Sequence, residues 1–243
     1  MPVAFLRMGG SSPGSDTTTG AFTAPGCREL TALLPAFRFQ ELIGIGSTGA
    51  VYRAEQISLG RVAAIKVLPP ELSRLESFSM DFKARARAMA KLSHPNLIGV
   101  YDFGEVNEML YLVMEFIDGN TLHESITGST VDPIQTIGIV EGIAQGLGEA
   151  HQHELLHRDI KPASIMITQE LKPLLGDFGL AFGSECSVTG ANPVSSRYVA
   201  PEVLKDCTAA GPASDVYSVG IIMHELLTGT VCLLYTSPSP RAK

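Results

Sequence analysis

Short apolar runs punctuated by turn residues dominate the first half of this chain, and helix-period patterns dominate the second. Residues 37–42, 50–54 and 61–68 are rich in Val, Ile, Tyr and Phe and predict strands. Leu75, Phe78, Phe82, Ala86, Met89 and Leu92 then fall at three- and four-residue spacings, which predicts a helix over residues 75–92 with one buried face. Residues 97–103 and 110–116 read as two further strands joined by a polar turn at 104–108. These elements make a small antiparallel sheet of five strands with one amphipathic helix packed on it.

Beyond Gly119 the pattern turns helical. Asp132 is a good N-cap, Pro133 suits the first helical position, and residues 134–151 continue with tolerated glycines. Short strands are expected at 165–168 and 173–175, and a last helix at about 213–228, stopped by Gly229. The fold class is therefore α+β, a β-rich lobe followed by a mainly helical one, with no internal repeat. Residues 9–26 are mostly Gly, Ser, Thr and Pro, too poor in large apolar groups to offset the entropy of ordering. A disordered leader is expected there, taken to run through residue 36. Composition breaks again at 231–243, which reads as a non-native tail that leaves the second lobe incomplete.

The chain has 243 residues, 45% of them hydrophobic and 18% charged, enough for one large domain or two small lobes. A formal charge of −7 speaks against a partner bound by neutralising nucleic-acid phosphates. Cys27, Cys186, Cys207 and Cys232 are scattered with no Cys-x-x-Cys pair, so neither a zinc site nor a disulfide framework is suggested, and reduced thiols are expected. No apolar run approaches the roughly 20 residues needed to cross a bilayer, and the first eight are too short for a signal peptide. The expectation is a cytoplasmic protein with no membrane segment in this chain; oligomeric state leaves no mark on the sequence.

Five strings carry the chemistry. Gly44-Ile45-Gly46-Ser47-Thr48-Gly49 joins strand to strand, where a turn without side chains lets backbone N–H groups approach triphosphate oxygens. A dinucleotide-binding motif would join strand to helix instead. Ala64-Ile65-Lys66 follows, then His157-Arg158-Asp159-Ile160-Lys161-Pro162, Gly176-Asp177-Phe178-Gly179 and Ala200-Pro201-Glu202. In this order they resemble the signature of a eukaryotic-type protein serine/threonine kinase domain, in the style of bacterial members. The resemblance covers roughly residues 37–230 and implies a two-lobed kinase fold, with the first lobe and hinge at 37–118 and part of the second at 119–230.

It also implies ATP and Mg2+ as cofactors and proteins bearing Ser or Thr as substrates. Asp159 would accept or orient the proton of the attacking hydroxyl, Lys161 would neutralise the transferring phosphoryl group, and Lys66 would contact the α- and β-phosphates. Ile43, Gly44, Gly46 and Gly49 would cover the nucleotide. Val51 and Ala64 would lie on one face of adenine and Met166 on the other. Met114 would guard the back of the pocket, backbone groups of Glu115 and Ile117 would bind the adenine edge, and Asp118 would meet the ribose. Asp177 would hold magnesium, Phe178 would pack towards the helix near Met89, and Asp215 would support the catalytic loop. His157 is read as scaffold. Ser187 or Thr189 is the expected site of a regulatory phosphate, with Ser195 facing substrate.

Two positions depart from the pattern. Arg85 stands where relatives carry the glutamate that pairs with the strand lysine; two cations at about 4 Å repel by about 4 kcal/mol at an effective dielectric near 20. Asp81, one turn earlier, is a poorly placed substitute. Ser164 replaces the asparagine that binds metal, a shorter and weaker ligand. These departures motivate an alternative, a catalytically impaired pseudokinase-like module that binds nucleotide or partner proteins.

Overall fold

The structure is a computed structural model, and it describes residues 22–46, 49–126, 130–178 and 195–231. The first element was not expected. Within the stretch assigned to a disordered leader, α1 (Cys27–Leu33) is a helix whose Leu30 is fully buried. Seven residues are too few to show a helical period, and what holds this helix is tertiary: Leu30 and Leu34 enter a core with Phe37, Phe39 and Tyr52.

Strands β1 (Phe37–Gly46), β2 (Gly49–Gln56), β3 (Arg61–Val67), β4 (Val100–Val106) and β5 (Met109–Glu115) form one antiparallel sheet in the order β1-β2-β3-β5-β4. Strand alternation gives this sheet two different faces. Val51, Lys66 and Leu112 are in register on one face, and Tyr52, Ile65 and Val113 on the other. The first face joins Ala64, Leu112 and Met114 to Phe78, Phe82 and Met89 of α3 (Glu76–Met89), which follows the single turn α2 (Pro70–Ser73). The second face forms the separate core that α1 covers.

The strand expected from residue 97 begins only at Val100. Leu97 instead makes a parallel bridge with Leu175, and the Ile98 N–H donates to the Leu175 carbonyl at 3.0 Å. This stretch therefore belongs to the second lobe, which contains β6 (Gly119–Thr121), α4 (Leu122–Ser125), α5 (Pro133–Gln152), β7 (Ile165–Thr168), β8 (Pro173–Leu175), α6 (Pro201–Lys205) and α7 (Pro212–Thr228). Helix α5 starts as expected: the Asp132 carboxylate accepts the amides of Ile134 and Gln135 at 2.9 and 3.3 Å. Helix α7 stops at Gly229, which takes φ 71°. Ile143 and Leu147 of α5 meet Ile222 and Leu226 of α7 in a core that continues unbroken to Phe82 and Met89 of α3.

Val231, at the edge of the expected tail, packs against that core, and residues 232–243 lie outside the described residues. Cys27 is a free thiol, but Cys207 is disulfide-bonded, so the cysteines are not uniformly the reduced thiols their scatter suggests. Among the described residues, no helix is long and apolar enough to cross a membrane.

The glycines of α5 are more than tolerated. Gly142 and Gly146, one turn apart, let the helix approach Asn96, whose side-chain amide donates to the Pro173 carbonyl at 2.8 Å. A Cβ at Gly146 would lie 2.9 Å from the Asn96 carbonyl oxygen, whereas one at Gly138 would meet nothing within 4 Å. Gly146→Ala is expected to lower unfolding free energy by about 1–3 kcal/mol through overpacking. Gly138→Ala is expected to raise it by about 0.5–1 kcal/mol through helix propensity. Urea-unfolding midpoints of the two variants should therefore move in opposite directions.

Candidate active site

The glycine motif spans the turn between β1 and β2. A Cβ at Gly44 or Gly46 would meet nothing within 4 Å, so space over this strand is open, and Ile43 beside them is 46% exposed. Gly49 is fixed for another reason: at φ +133° an added Cβ would strike the Val67 carbonyl of β3. Ser47 and Thr48 lie outside the described residues. Val51 pairs with Lys66, and Ala64 with Met114, so the sheet sets the expected adenine-facing residues beside the lysine. The chain leaves β5 at Glu115, passes Ile117, and enters β6 at Gly119. The Glu115 amide donates to the Gly99 carbonyl at 2.8 Å. Asp118 is exposed, and its carboxylate accepts from the Gln169 side chain at 3.1 Å. Met166 lies in β7 opposite Thr121 and Leu174.

Lys66 has only 6% of its side chain exposed, and Nζ donates to Oδ1 of Asp177 at 2.8 Å. Burial pushes the Asp177 carboxyl up, but the charge and hydrogen bond of Lys66, with smaller help from Lys161, outweigh it and hold its pKa below the usual value. The carboxylate that meets the strand lysine thus comes from the Asp-Phe-Gly string. On α3, Arg85 is buried and its Nε donates to Asp81 Oδ2 at 2.7 Å, so Asp81 serves Arg85 and does not reach Lys66 as a substitute. Arg158 lies near this pair: partial burial lowers its pKa first and Arg85 lowers it further, against opposing pulls from Asp81 and Asp215.

Asp159 and Lys161 form a second pair, Nζ to Oδ2 at 2.6 Å. Their loop is held from below. Asp215 of α7, 2% exposed, accepts the backbone amides of His157 and Arg158 at 2.9 and 2.8 Å, as the resemblance implied. The His157 ring receives the Asp159 amide at Nδ1 (3.2 Å) and donates from Nε2 to the Gly176 carbonyl (2.7 Å), so it is the neutral Nε2–H tautomer. Phe178, 3% exposed, packs against it with the rings tilted by 39° and their centroids 4.6 Å apart, and shares a core with Met89. Both Arg158 (φ 65°) and Asp177 (φ 58°) sit in the left-handed region, a conformation that the surrounding hydrogen bonds must hold.

Ser164 is engaged within the loop. Its hydroxyl donates to the Lys161 carbonyl at 2.8 Å and accepts the Lys161 amide at 3.1 Å, while its own carbonyl accepts the Gly176 amide at 3.0 Å. The structure thus brings Lys66, Asp177, Asp159, Lys161 and Ser164 into one linked cluster. Ser187, Thr189 and Gly179 lie outside the described residues, and the side chain of Ser195 is not described. Sequence reading missed two contributors. His151, in the last turn of α5, has its Nε2 2.9 Å from Asp215 Oδ2. The Asn96 carbonyl accepts the Leu175 amide at 2.8 Å and so steadies the strand leading to Asp177. The four-residue spacing of Gly142 and Gly146 on α5 was the one local signal of a close approach there.

Burial lowers the His157 pKa from its ordinary 6.5, against upward pulls from Asp215, the Gly176 carbonyl, Asp159 and Asp177. The folded protein then keeps this ring neutral where the unfolded chain protonates it. With more protons on the unfolded state, stability falls as pH drops below about 6.5 towards the lower folded-state pKa. His157→Phe is expected to flatten that limb of the stability curve, as read from urea midpoints between about pH 5 and 7.

Comparison with known proteins fits this geometry. The protein kinase domain family matches residues 37–239. The serine/threonine-protein kinase PrkC of Bacillus subtilis is 37% identical over 199 residues, 80% of this chain and 31% of PrkC. Serine/threonine-protein kinase PknL of Mycobacterium tuberculosis is 37% identical over 204 residues, 82% of this chain and 51% of PknL. The chain thus spans about a third to a half of the length of these curated relatives. Among solved structures, the PknI kinase domain of Mycobacterium tuberculosis superposes with a TM-score of 0.69 at 27% identity, over 81% of this chain and 75% of that one. A Rad53 structure does so with 0.67 at 26%, over 82% of this chain and 50% of that one. With the family match running through both the β-sheet lobe and the helical lobe, this chain belongs to the protein kinases.

Proposed function

We propose that this chain carries the catalytic machinery of an ATP-dependent protein serine/threonine kinase working in the cytoplasm. The observation that carries the reading is the convergence of four side chains from distant segments: Lys66 on Asp177 at 2.8 Å, and Lys161 on Asp159 at 2.6 Å, with both aspartates tied to the His157 ring or its neighbour Gly176. The names of the curated relatives support the Ser/Thr substrate, and the Rad53 structure, a complex with AMP-PNP, supports the nucleotide.

In this reading Val51, Ala64, Met114 and Met166 form the apolar slot for adenine, the Glu115 carbonyl and the Ile117 backbone bind its edge, and Asp118 exchanges Gln169 for the ribose. Ile43, Gly44, Gly46 and Gly49 cover the phosphates, and Lys66 turns from Asp177 to the α- and β-phosphates. The hydroxyl oxygen of a substrate Ser or Thr attacks the γ-phosphorus, the bond to the ADP oxygen breaks, and the hydroxyl proton passes to a carboxylate oxygen of Asp159. Lys161, already beside Asp159, offsets charge on the phosphoryl oxygens.

Magnesium, bound with ATP, supplies neutralisation of the phosphate charge. Asp177 suits it because its carboxylate is held ionised. Asp177 would hold the ion together with the nucleotide it accompanies. Ser164, with one lone pair left after its two bonds to Lys161, would be a weak second contributor to holding it.

With γ-labelled ATP and a serine peptide, Asp159→Asn is expected to lower kcat by about 10²–10⁴-fold with little change in KM for ATP. Lys66→Met is expected to lower kcat/KM for ATP, and a matched tyrosine peptide should stay unlabelled. Wild-type turnover in Asp159→Asn would remove the basis of the assignment.

A further inference from the structure

Residues 22–36 precede the region matched by the kinase family, which begins at residue 37, yet they are built into the first lobe. Leu30 is fully buried and Leu34 is 9% exposed, while Phe22, Ala24, Cys27 and Leu33 pack on the rim of the same core. Three polar contacts fix the segment to the sheet. The Tyr52 hydroxyl donates to the Pro25 carbonyl at 2.7 Å, the Phe39 amide donates to the Thr31 hydroxyl at 3.1 Å, and the Ile57 amide donates to the Ala36 carbonyl at 3.0 Å.

Strand β1 needs such help. It is an edge strand, and its pairing with β2 is interrupted between Phe39 and Glu41 and again between Leu42 and Gly44. Tyr52 stands at the point of leverage: in register it faces Leu42 on one side and Ile65 on the other, and its neighbour Val51 faces Gly44 and Lys66. Its ring packs edge-on to Phe39 at 5.6 Å. Burial, and then Cys27 and Glu29, push its pKa up to about 12, so the hydroxyl remains a donor.

We propose that residues 22–36 are a brace that holds the glycine strand and the Lys66 strand in register for nucleotide binding, with Tyr52 as the positioning residue through which it acts. The idea deepens the kinase reading and rests on it. Because Tyr52 lies on the sheet face opposite Lys66, the brace acts on the ATP site through the backbone alone.

The test compares Leu30→Ala and Tyr52→Phe with wild type in the full chain, measuring kcat, KM for ATP, melting temperature and amide hydrogen exchange. Both variants are expected to raise KM for ATP, by about fivefold for Leu30→Ala, with kcat within about twofold. Exchange should quicken in β1 and β2 and stay unchanged in α5 and α7. Leu226→Ala serves as the control, since Leu226 is fully buried in the core of the other lobe near the end of α7, and its truncation should lower the melting temperature and leave KM for ATP alone. If Leu30→Ala and Tyr52→Phe merely lower the melting temperature, as the control does, with KM for ATP unmoved in an active chain, the brace is overturned and the kinase reading stands. If wild type neither binds ATP nor transfers phosphate, the kinase reading fails and the purpose of the brace goes with it.

Discussion

A single buried carboxylate gives the catalytic loop its shape. Asp215 accepts two successive backbone amides and lies against His151, which satisfies a charge that would otherwise be costly at 2% exposure. Two neighbouring amides can aim at one carboxylate only if the chain turns sharply, and Arg158 meets that demand by adopting a left-handed backbone. The conformation costs about 1–2 kcal/mol for a residue with a side chain, which hydrogen bonds to a buried charge can offset. Once the loop is turned, the neutral His157 ring receives the amide of Asp159 and donates to the carbonyl before Asp177. Both functional carboxylates therefore inherit their placement from α7 through the loop that Asp215 holds.

The charge arrangement around Lys66 follows from the same economy of partners. A lysine with 6% of its side chain exposed needs an anion close by, and α3 offers none, because Arg85 and Asp81 satisfy each other along the helix. Asp177 fills the gap, which joins the two lobes by an ion pair at the position where phosphates and metal are expected. The position of α3 is accordingly set by Phe78, Phe82 and Met89 in the core, with no ionic latch to Lys66. Reversal of charge at residue 85 thus leaves the lysine oriented while separating its orientation from that of the helix.

Local patterns made the larger elements legible. Strands β7 and β8 fall where the apolar runs predicted, and α5 and α7 begin or end at Asp132 and Gly229 because caps act within one turn. What escaped depends on distant partners. Helix α1 has no periodicity of its own and exists through contacts with Phe39 and Tyr52. Leu97 and Ile98 are as apolar as a sheet strand, but they pair with Leu175 of β8 because Asn96 is anchored to Pro173 and α5 presents glycines there. Motif spacing gave Lys66, Asp159 and Asp177 one by one; that Lys66 meets Asp177, and that Ser164 closes its own loop, follows only from the packed chain.

The two faces of the sheet are stabilised on different terms. One face shares a core that runs from Phe82 and Met89 through Leu112 and Met114 to Ile143 and Ile222, so contacts from both lobes hold it. The opposite face has only the residues of the first lobe, and a core that small has a large share of its surface at its edges. Strand β2 belongs to both, with Val51 on one side and Tyr52 on the other. Anything that tightens the smaller core therefore restrains the strand that borders the ATP site, without placing a single atom in it. Helix α1, with one fully buried leucine and a Thr31 hydroxyl that accepts the Phe39 amide, does this with few residues, because the sheet backbone carries the restraint across.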